Sequence, residues 1–448
     1  MTDPWAELLA DLGPIERFPT VDEMHVFVAE MGAAHPDLVT VAEVGRSRGG
    51  DAIQLLSITP PDGAGAAGAV LVVGQPHPNE PIGMATIVTL CERLLSNRAA
   101  LQAMGVSWHF VPCVDPDGTR LNEGWFGGPW TREHYARHFF RPASDAQVEW
   151  TFPFSTEGFS VAAPLPETLA LMAAIDRVRP QVLSSLHNGE MGGAYFYAEP
   201  GADDLYPRLA SLCADHAIPL HCGEAETPVS TELAPAVYSV PTAQQLFDLA
   251  ASVGIDPSAI VTGASSHEYA QRHGPTFGVV VELPYWRDAR ADDVTPDRSG
   301  HSRRDVVLAS VDLQETSVAR IRAMFDAARP LPPSPFKDAV EGFLKMAESG
   351  YAEAERQQAR DDPGFDRPAT VAEVFGGKDN VHAFRLRLGG MLLRALPADA
   401  PTRAEVEETF DGWCAESAAD NQSEAIPIAD LVAVQGGAIL ATARHVFS

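Results

Sequence analysis

The sequence has 448 residues, of which 45% are hydrophobic and 21% charged, and this composition is that of a globular protein. The 61 acidic and 32 basic residues give a formal charge of −29, which argues against nucleic acid or an anionic membrane as a partner, because both would be repelled. Five scattered cysteines indicate reduced thiols, and neither a secretion signal nor a long apolar stretch is present, so we expect a cytoplasmic protein.

The first part of the chain alternates between strand and helix patterns. In chain order, the predicted elements are a helix over 20–34 with a capping box of Thr20 and Glu23, strands over 52–58 and 69–73, a helix over 82–95, a strand over 106–111, a helix over 167–178, and strands over 182–186, 194–198 and 277–283. Several of these strands are apolar along their whole length, which indicates burial on both faces. Together with the intervening helices they predict an α/β fold with helices on both faces of one sheet.

A change of composition follows this region. The prolines within 330–335 cannot continue a helix and mark a linker. Helical patterns then cover 337–351, 381–396, 402–418 and 428–446. We therefore divide the chain into an α/β region, 1–330, and a helical C-terminal region, 331–448. The stretch 201–264, between strands, is expected to be an insertion or a set of helices near the site.

Polar side chains stand where predicted strands end. His77 and Glu80 follow a buried strand in a turn rich in proline and asparagine, and His187 ends another. Catalytic zinc takes three nitrogen, sulfur or oxygen ligands and leaves one position to water, so these three residues are candidate ligands. A packed core histidine is the alternative for His187. Glu282 interrupts an apolar strand, and because an isolated buried carboxylate is costly, we expect it to be functional, with a pKa raised toward that of a general base.

Further segments occur in a definite order around these residues. They are Gly74-Gln75-Pro76-His77-Pro78-Asn79-Glu80, Pro116-Asp117-Gly118, Pro166-Glu167-Thr168 and Val281-Glu282-Leu283. This set, within a similarity that runs from about residue 17 to about residue 328, resembles the M14 family of zinc carboxypeptidases. The family's metal-binding HxxE turn, its Asn-Pro-Asp-Gly turn and its Glu-Leu strand each match one of these segments, in the same order, although Asp115 stands where asparagine is usual.

The resemblance implies a zinc carboxypeptidase-like catalytic domain over 1–330, built on a mixed twisted sheet. It implies one Zn²⁺ ion with these ligands: His77, Glu80 and His187. Glu282 would take a proton from the attacking water and return it to the leaving amine. The family also stabilises the oxyanion with an arginine shortly after the Pro-Asp-Gly turn; Arg132 is favoured over Arg120, because a tryptophan precedes the arginine in the family.

One family motif is missing. The Asn-Arg pair that binds a substrate's C-terminal carboxylate has no counterpart in the corresponding segment, 148–153. Arg137 and Arg141 are candidates for replacing it, since a guanidinium binds a carboxylate through two hydrogen bonds. Tyr269 lies near the family's mobile substrate-contacting tyrosine in sequence, with a packing role as the alternative.

Three functions remain open at this point. The first is a metallocarboxypeptidase that acts on peptides or peptide-like molecules. The second is an amidase or deacylase of a small metabolite, suggested by the missing pair, and the third is an inactive relative that binds zinc or a partner protein. For the helical C-terminal region we hypothesise a lid, so that removing the residues after Pro335 would speed hydrolysis of bulky substrates.

Overall fold

The computed structural model describes residue 5 and residues 8–60, 67–223 and 225–448. The N-terminal residues from which the absence of a secretion signal was predicted therefore lie partly outside the described residues. Where the chain is described, no helix is long and apolar enough to cross a membrane. All five cysteines are free thiols, and three of them are buried.

The described residues form these helices and strands. The helices are α1 (Val21–Ala34), α2 (Ile82–Ser96), α3 (Arg98–Met104), α4 (Pro116–Arg120), α5 (Arg132–His138), α6 (Pro166–Val178), α7 (Tyr206–Asp215), α8 (Ala243–Ser252), α9 (Ser266–Ala270), α10 (Arg303–Ala327), α11 (Pro335–Ala347), α12 (Tyr351–Asp361), α13 (Val371–Ala395), α14 (Arg403–Asp420) and α15 (Ile428–Phe447). The strands are β1 (Val39–Arg46), β2 (Ala52–Ile58), β3 (Ala69–Val73), β4 (Ser107–Val111), β5 (Phe154–Thr156), β6 (Phe159–Val161), β7 (Val182–Gly192), β8 (Tyr195–Ala198), β9 (Glu232–Ala234), β10 (Val237–Ser239), β11 (Phe277–Arg287) and β12 (Glu424–Ala425).

The large sheet is mixed and has the strand order β1-β2-β4-β3-β7-β11-β8-β10-β9, with β12 added beside β11. Its centre, β4-β3-β7-β11, is parallel, and antiparallel pairs flank this centre on both sides. Because the chain enters the four central strands from the same end, their carboxyl ends meet at one edge, where α/β sheets gather ligands.

Helices cover both faces of this sheet. Along β3, Val70 and Val72 belong to a core shared with α2 and α15. The alternate residues Leu71 and Val73 belong to a different core, shared with α6 and α9. Successive strand side chains point to opposite faces, so a strand that is apolar throughout needs such cover on both. The predicted fold class is therefore confirmed.

Several predicted elements occur with their predicted bounds, and others differ. The capping box of Thr20 and Glu23 is present, and β2 and β3 have their predicted ends. β7 and β11 both continue several residues beyond their predicted ends. Pro284 does not end β11, because the register between β11 and β7 shifts there and a β-bulge tolerates a residue without a backbone N–H. The polar helices α10 and α12 and the strand β1 were not predicted.

The C-terminal helices share a core with the sheet. Leu392 of α13 and Val434 of α15 belong to the same buried cluster as Val279 and Val281 of β11. Helix α15 also packs against α2 and α7. The division of the chain at residue 330 stays a prediction. This packing argues against a detachable lid, because removal of the C-terminal helices would expose the buried core.

Candidate active site

Two histidines and a glutamate form a buried cluster at the carboxyl edge of the sheet. One ligand atom each from His77, Glu80 and His187 lie within 4.8 Å of one another. His187 Nδ1 is 3.2 Å from Glu80 Oε2, and the rings of the two histidines are 4.8 Å apart between centroids. Sequence reasoning selected these three residues as a set, and the structure brings them together.

The turn after β3 directs the first two members of the cluster. Gly74 comes so close to β4 that a Cβ would lie 2.4 Å from Pro112 O, which leaves no room for another residue. Gln75 then takes a left-handed conformation with φ of 55°, and its side-chain amide donates to Pro78 O at 3.2 Å. This closes a tight turn ahead of α2 and holds His77 on the same side as Glu80.

The register of the sheet places His187 and Glu282 next to each other. His187 on β7 lies directly beside Glu282 on the parallel strand β11. Glu282 Oε1 is 3.7 Å from His187 Nδ1, and both side chains are buried. The sequence predicted that both residues lie where strands end. In the structure they lie inside the paired strands, because β7 and β11 stay paired beyond them. Their common orientation follows from the alternation of side chains along adjacent strands.

The hydrogen bonds around His187 indicate which of its nitrogens faces the cluster. Ser185 Oγ donates to Glu149 Oε2 at 3.0 Å and lies 3.1 Å from His187 Nε2. Since that hydroxyl proton is already committed to the carboxylate, the imidazole donates its Nε2 proton to Ser185 Oγ. The lone pair of Nδ1 then points toward Glu80. A carboxylate that orients a ligand histidine in this way, here through a serine, is a common support of metal sites.

The donor set fits a divalent cation. His77 Nδ1 and Glu80 Oε2 are buried and have no hydrogen-bond partner among the described residues. Burial, with the charges of Arg141 and His187, lowers the pKa of His77 well below its usual value, so the ring is neutral and able to bind a metal. Two acceptor atoms 3.2 Å apart, Glu80 Oε2 and His187 Nδ1, would repel each other without a cation between them. Two histidines and one glutamate are a known ligand set of catalytic zinc.

The cluster opens into a cavity of about 260 Å³, which we call the metal cavity. It is lined by Glu282 and Arg141 as well as by the cluster, and by apolar residues such as Leu183 and Val279. Glu149 and Trp150, from the segment that lacks the family's Asn-Arg pair, also line it. Part of the segment that lacks the family motif therefore lies in the cavity itself.

The four candidate arginines lie in different surroundings. Arg141 lines the metal cavity, and its Nη1 donates to Glu80 Oε1 at 3.1 Å. Arg132, favoured from the sequence, instead forms a buried ion pair with Asp379 and lines a separate cavity together with Trp286.

Arg120 donates to Asp22 and Asp51, at 2.6 and 2.8 Å, and Arg137 pairs with Glu133 and Asp411. Neither is among the residues that line the metal cavity. Of the arginines proposed from the sequence, only Arg141 is therefore placed beside the cluster, and the preference for Arg132 is corrected.

Tyr269 lies in the packed core on one face of the sheet. Its hydroxyl donates to Asp176 Oδ1 at 2.9 Å, and its ring packs against Phe152. It is absent from the residues that line the metal cavity. The packing role is thus the one that its surroundings support, and the substrate-contacting role is not.

Sequence reasoning missed the residues that support the cluster from a distance. Gln435 on α15 donates from Nε2 to His187 O at 3.1 Å, and Tyr285 donates to Asn79 O at 2.8 Å, next to Glu80. From the sequence, Glu149 was noted only as part of the segment that lacks the family's Asn-Arg pair. A buried glutamine within an apolar helix was the one available signal for Gln435, but nothing local indicates its partner.

A mixed sheet with two histidines, a glutamate and a further carboxylate in one cavity is the arrangement of a zinc-dependent hydrolase. The chain belongs to the zinc carboxypeptidase family, Peptidase_M14, whose family model matches residues 24–284. The resemblance inferred from the motifs is therefore confirmed. The helices from α10 onward lie outside the matched range. No curated protein matches the chain at a significant level.

Solved structures of this fold are similar to the chain at low sequence identity. Carboxypeptidase A from Helicoverpa armigera matches over 61% of this chain and 66% of its own, with 16% identity and a TM-score of 0.38. Bovine thrombin-activatable fibrinolysis inhibitor, in complex with tick carboxypeptidase inhibitor, matches over 61% and 87%, with 13% identity and a TM-score of 0.38. For a metallo-carboxypeptidase from Burkholderia cenocepacia the shares are 62% and 63%, at 14% identity and a TM-score of 0.37. The chain thus spans just under two thirds of the Helicoverpa and Burkholderia chains.

Proposed function

We propose that this protein is a zinc-dependent hydrolase of amide bonds in peptides or peptide-like molecules. The observation that carries the proposal is the meeting of His77, Glu80 and His187 with Glu282 in one buried cavity. When bound by the three ligands, a zinc ion lowers the pKa of water and polarises a carbonyl group. Membership of the zinc carboxypeptidase family supports the same class of reaction.

Glu282 is the general base in this proposal. Its carboxylate lies beside the ligand atoms, 3.7 Å from His187 Nδ1, which is within reach of a water positioned at the cluster. Glu282 takes a proton from that water as the oxygen attacks the carbonyl carbon, and then gives the proton to the leaving amine nitrogen. Arg141 supplies positive charge at the same edge of the cavity, where the carbonyl oxygen becomes negative.

Removal of a single C-terminal residue is the form of this reaction that we favour. Most residues that line the metal cavity are buried, among them Leu183, Ser266 and Val279. A cavity of about 260 Å³ with such a lining suits the end of a chain better than a continuing polypeptide. In this form, Arg141 binds the substrate's terminal carboxylate rather than the carbonyl oxygen.

An amidase or deacylase of a small metabolite is the second candidate, favoured by the charges in the metal cavity. Arg141 already donates to Glu80, and His267 is 2.7 Å from Glu199. Burial alone would lower the pKa of His267, but the hydrogen bond and charge of Glu199 outweigh burial and raise it, which favours the charged imidazolium beside Glu199. A substrate carboxylate must compete for cations that are already paired, whereas a neutral group need not.

The test compares short peptides offered as free acids and as C-terminal amides, with a chelator-treated control, by mass spectrometry. For a carboxypeptidase we expect zinc-dependent loss of single C-terminal residues from the free acids alone. Equal cleavage of the amides would instead support the amidase. Failure of the zinc-loaded protein to cleave either peptide set or a panel of N-acyl amino acids would contradict the proposed hydrolase.

A further inference from the structure

A second cavity of about 520 Å³ adjoins the metal cavity, and we call it the helix cavity. The two cavities share Arg141, Asn188 and Glu226 in their walls. Most residues that line the metal cavity are buried, whereas the wall of the helix cavity includes exposed side chains such as Tyr351 and Gln358.

Half of the residues that line the helix cavity lie on helices beyond the family-matched range. On α12, Tyr351, Glu355 and Gln358 line it, at a spacing of four and then three residues. This spacing places all three side chains on one face of the helix. The cavity is thus bordered by a whole helix face.

Helix α13 presents a second face of the same kind. Asn380, Phe384 and Arg387 line the cavity with the same spacing of four and three. Between them, the two faces combine aromatic rings with amide and charged side chains. Rings pack against apolar side chains, and amides exchange hydrogen bonds with a peptide backbone, so the lining suits an extended peptide better than a compact metabolite.

We propose that the helix cavity binds the part of a peptide substrate that lies on the N-terminal side of the scissile bond. This inference rests on the proposed function, with the terminal residue in the more buried metal cavity and the rest of the chain in the more exposed helix cavity. Each extended residue covers at most about 3.5 Å, so several residues can lie along the helix faces. The substrate class is then an oligopeptide.

Kinetics on peptides of increasing length test this proposal. The peptides share their two C-terminal residues and gain residues at the N-terminus. We expect kcat/KM to rise on the order of tenfold from the shortest to the longest, because contacts remote from the reacting bond contribute to transition-state binding. In the double variant Tyr351→Ala/Gln358→Ala, the ratio of long-peptide to short-peptide kcat/KM should fall toward one.

The matched control is Gln357→Ala/Arg360→Ala, which changes two residues of the same helix that do not line the cavity. It should keep the wild-type ratio. A ratio near one in the wild-type protein, or an equal fall in both variants, would overturn the helix cavity as a peptide site. Either result leaves measurable hydrolysis, whereas failure of the proposed function would leave no turnover of any length.

A different observation concerns Gln435, which is completely buried on α15. Its Nε2 donates to His187 O at 3.1 Å, and its Oε1 accepts from Thr86 Oγ1 at 2.8 Å. Thr86 belongs to α2, the helix that starts two residues after Glu80. One amide therefore ties the backbone of one candidate ligand to the helix that follows another.

We infer that Gln435 is a positioning residue for the zinc site. Groups that hold metal ligands in place commonly change metal affinity by tenfold or more when they are replaced. Gln435→Met keeps the length of the side chain and removes both hydrogen bonds. We expect it to weaken zinc binding by about tenfold, measured by competition with a chelator.

Thr442→Val is the control, because Thr442 is equally buried on the same helix but donates to Ala438 O within it. It should keep the wild-type zinc affinity. If Gln435→Met does not fold, as judged by circular dichroism, Thr86→Val takes its place, with a smaller weakening of zinc binding expected. Wild-type affinity in a folded Gln435→Met protein, or in Thr86→Val where that variant is needed, would overturn the inference.

Discussion

Replacement of Glu282 by glutamine is expected to remove nearly all hydrolytic activity and to leave the zinc content unchanged. The amide has the shape of the carboxylate but cannot accept the proton of the attacking water. A positioned general base contributes about 10²- to 10⁴-fold to the rate, so kcat should fall by that order. Because Glu282 is not in the ligand cluster, the three ligands remain intact.

Two measurements are needed together for this variant. Steady-state kinetics gives the loss of kcat, and elemental analysis gives the zinc bound per chain. Glu268→Gln is a suitable control, because Glu268 is a half-buried carboxylate that does not line the metal cavity. Near wild-type activity in a zinc-loaded Glu282→Gln protein would rule out the proposed base.

A chain shortened to residues 1–335 is expected not to reach the native fold. Helix α15 alone buries Leu431, Val432, Val434, Ile439 and Leu440, each at most 3% exposed. A fully buried side chain of this kind stabilises by about 1.5–3 kcal/mol, so five contribute on the order of 10 kcal/mol. That is comparable with the whole stability of a typical protein, about 5–15 kcal/mol.

Circular dichroism with thermal melting and size-exclusion chromatography would test this expectation. The point variant Ile439→Ala should lower the free energy of unfolding by about 2–5 kcal/mol. Val294→Ala, at a side chain that is 62% exposed, should change it little. A soluble shortened chain that melts cooperatively and cleaves bulky substrates faster would instead support the lid hypothesis.

The candidate active site was predictable because its residues carry local signals. His77 and Glu80 stand in one short turn, His187 ends a buried apolar strand, and Glu282 interrupts another. A polar residue within such a strand stands out without any knowledge of its neighbours, since burial of an uncompensated polar group is costly. The order of these signals along the chain was enough to identify the family.

The choice among the arginines needed the tertiary structure. Arg120, Arg132, Arg137 and Arg141 lie within 22 positions of one another, and nothing in that segment separates their roles. Their environments depend on acids far away in sequence, such as Asp379 for Arg132 and Glu80 for Arg141. Ion pairs of this kind form only after the chain has folded, so a local pattern does not contain them.

The sequence by itself determined the α/β sheet, because the sheet depends on hydrophobic periodicity. It also determined the proposed zinc ligands and the carboxylate beside them, because these stand out as polar residue types in or next to apolar strands. The tertiary structure alone decided which arginine faces the cluster, that α12 and α13 line a cavity beside the metal cavity, and that Gln435 donates a hydrogen bond to His187 O. These features join residues 61 to more than 200 positions apart. Their physical basis is the packing of whole helices on the sheet, and no periodicity within one segment encodes its partner.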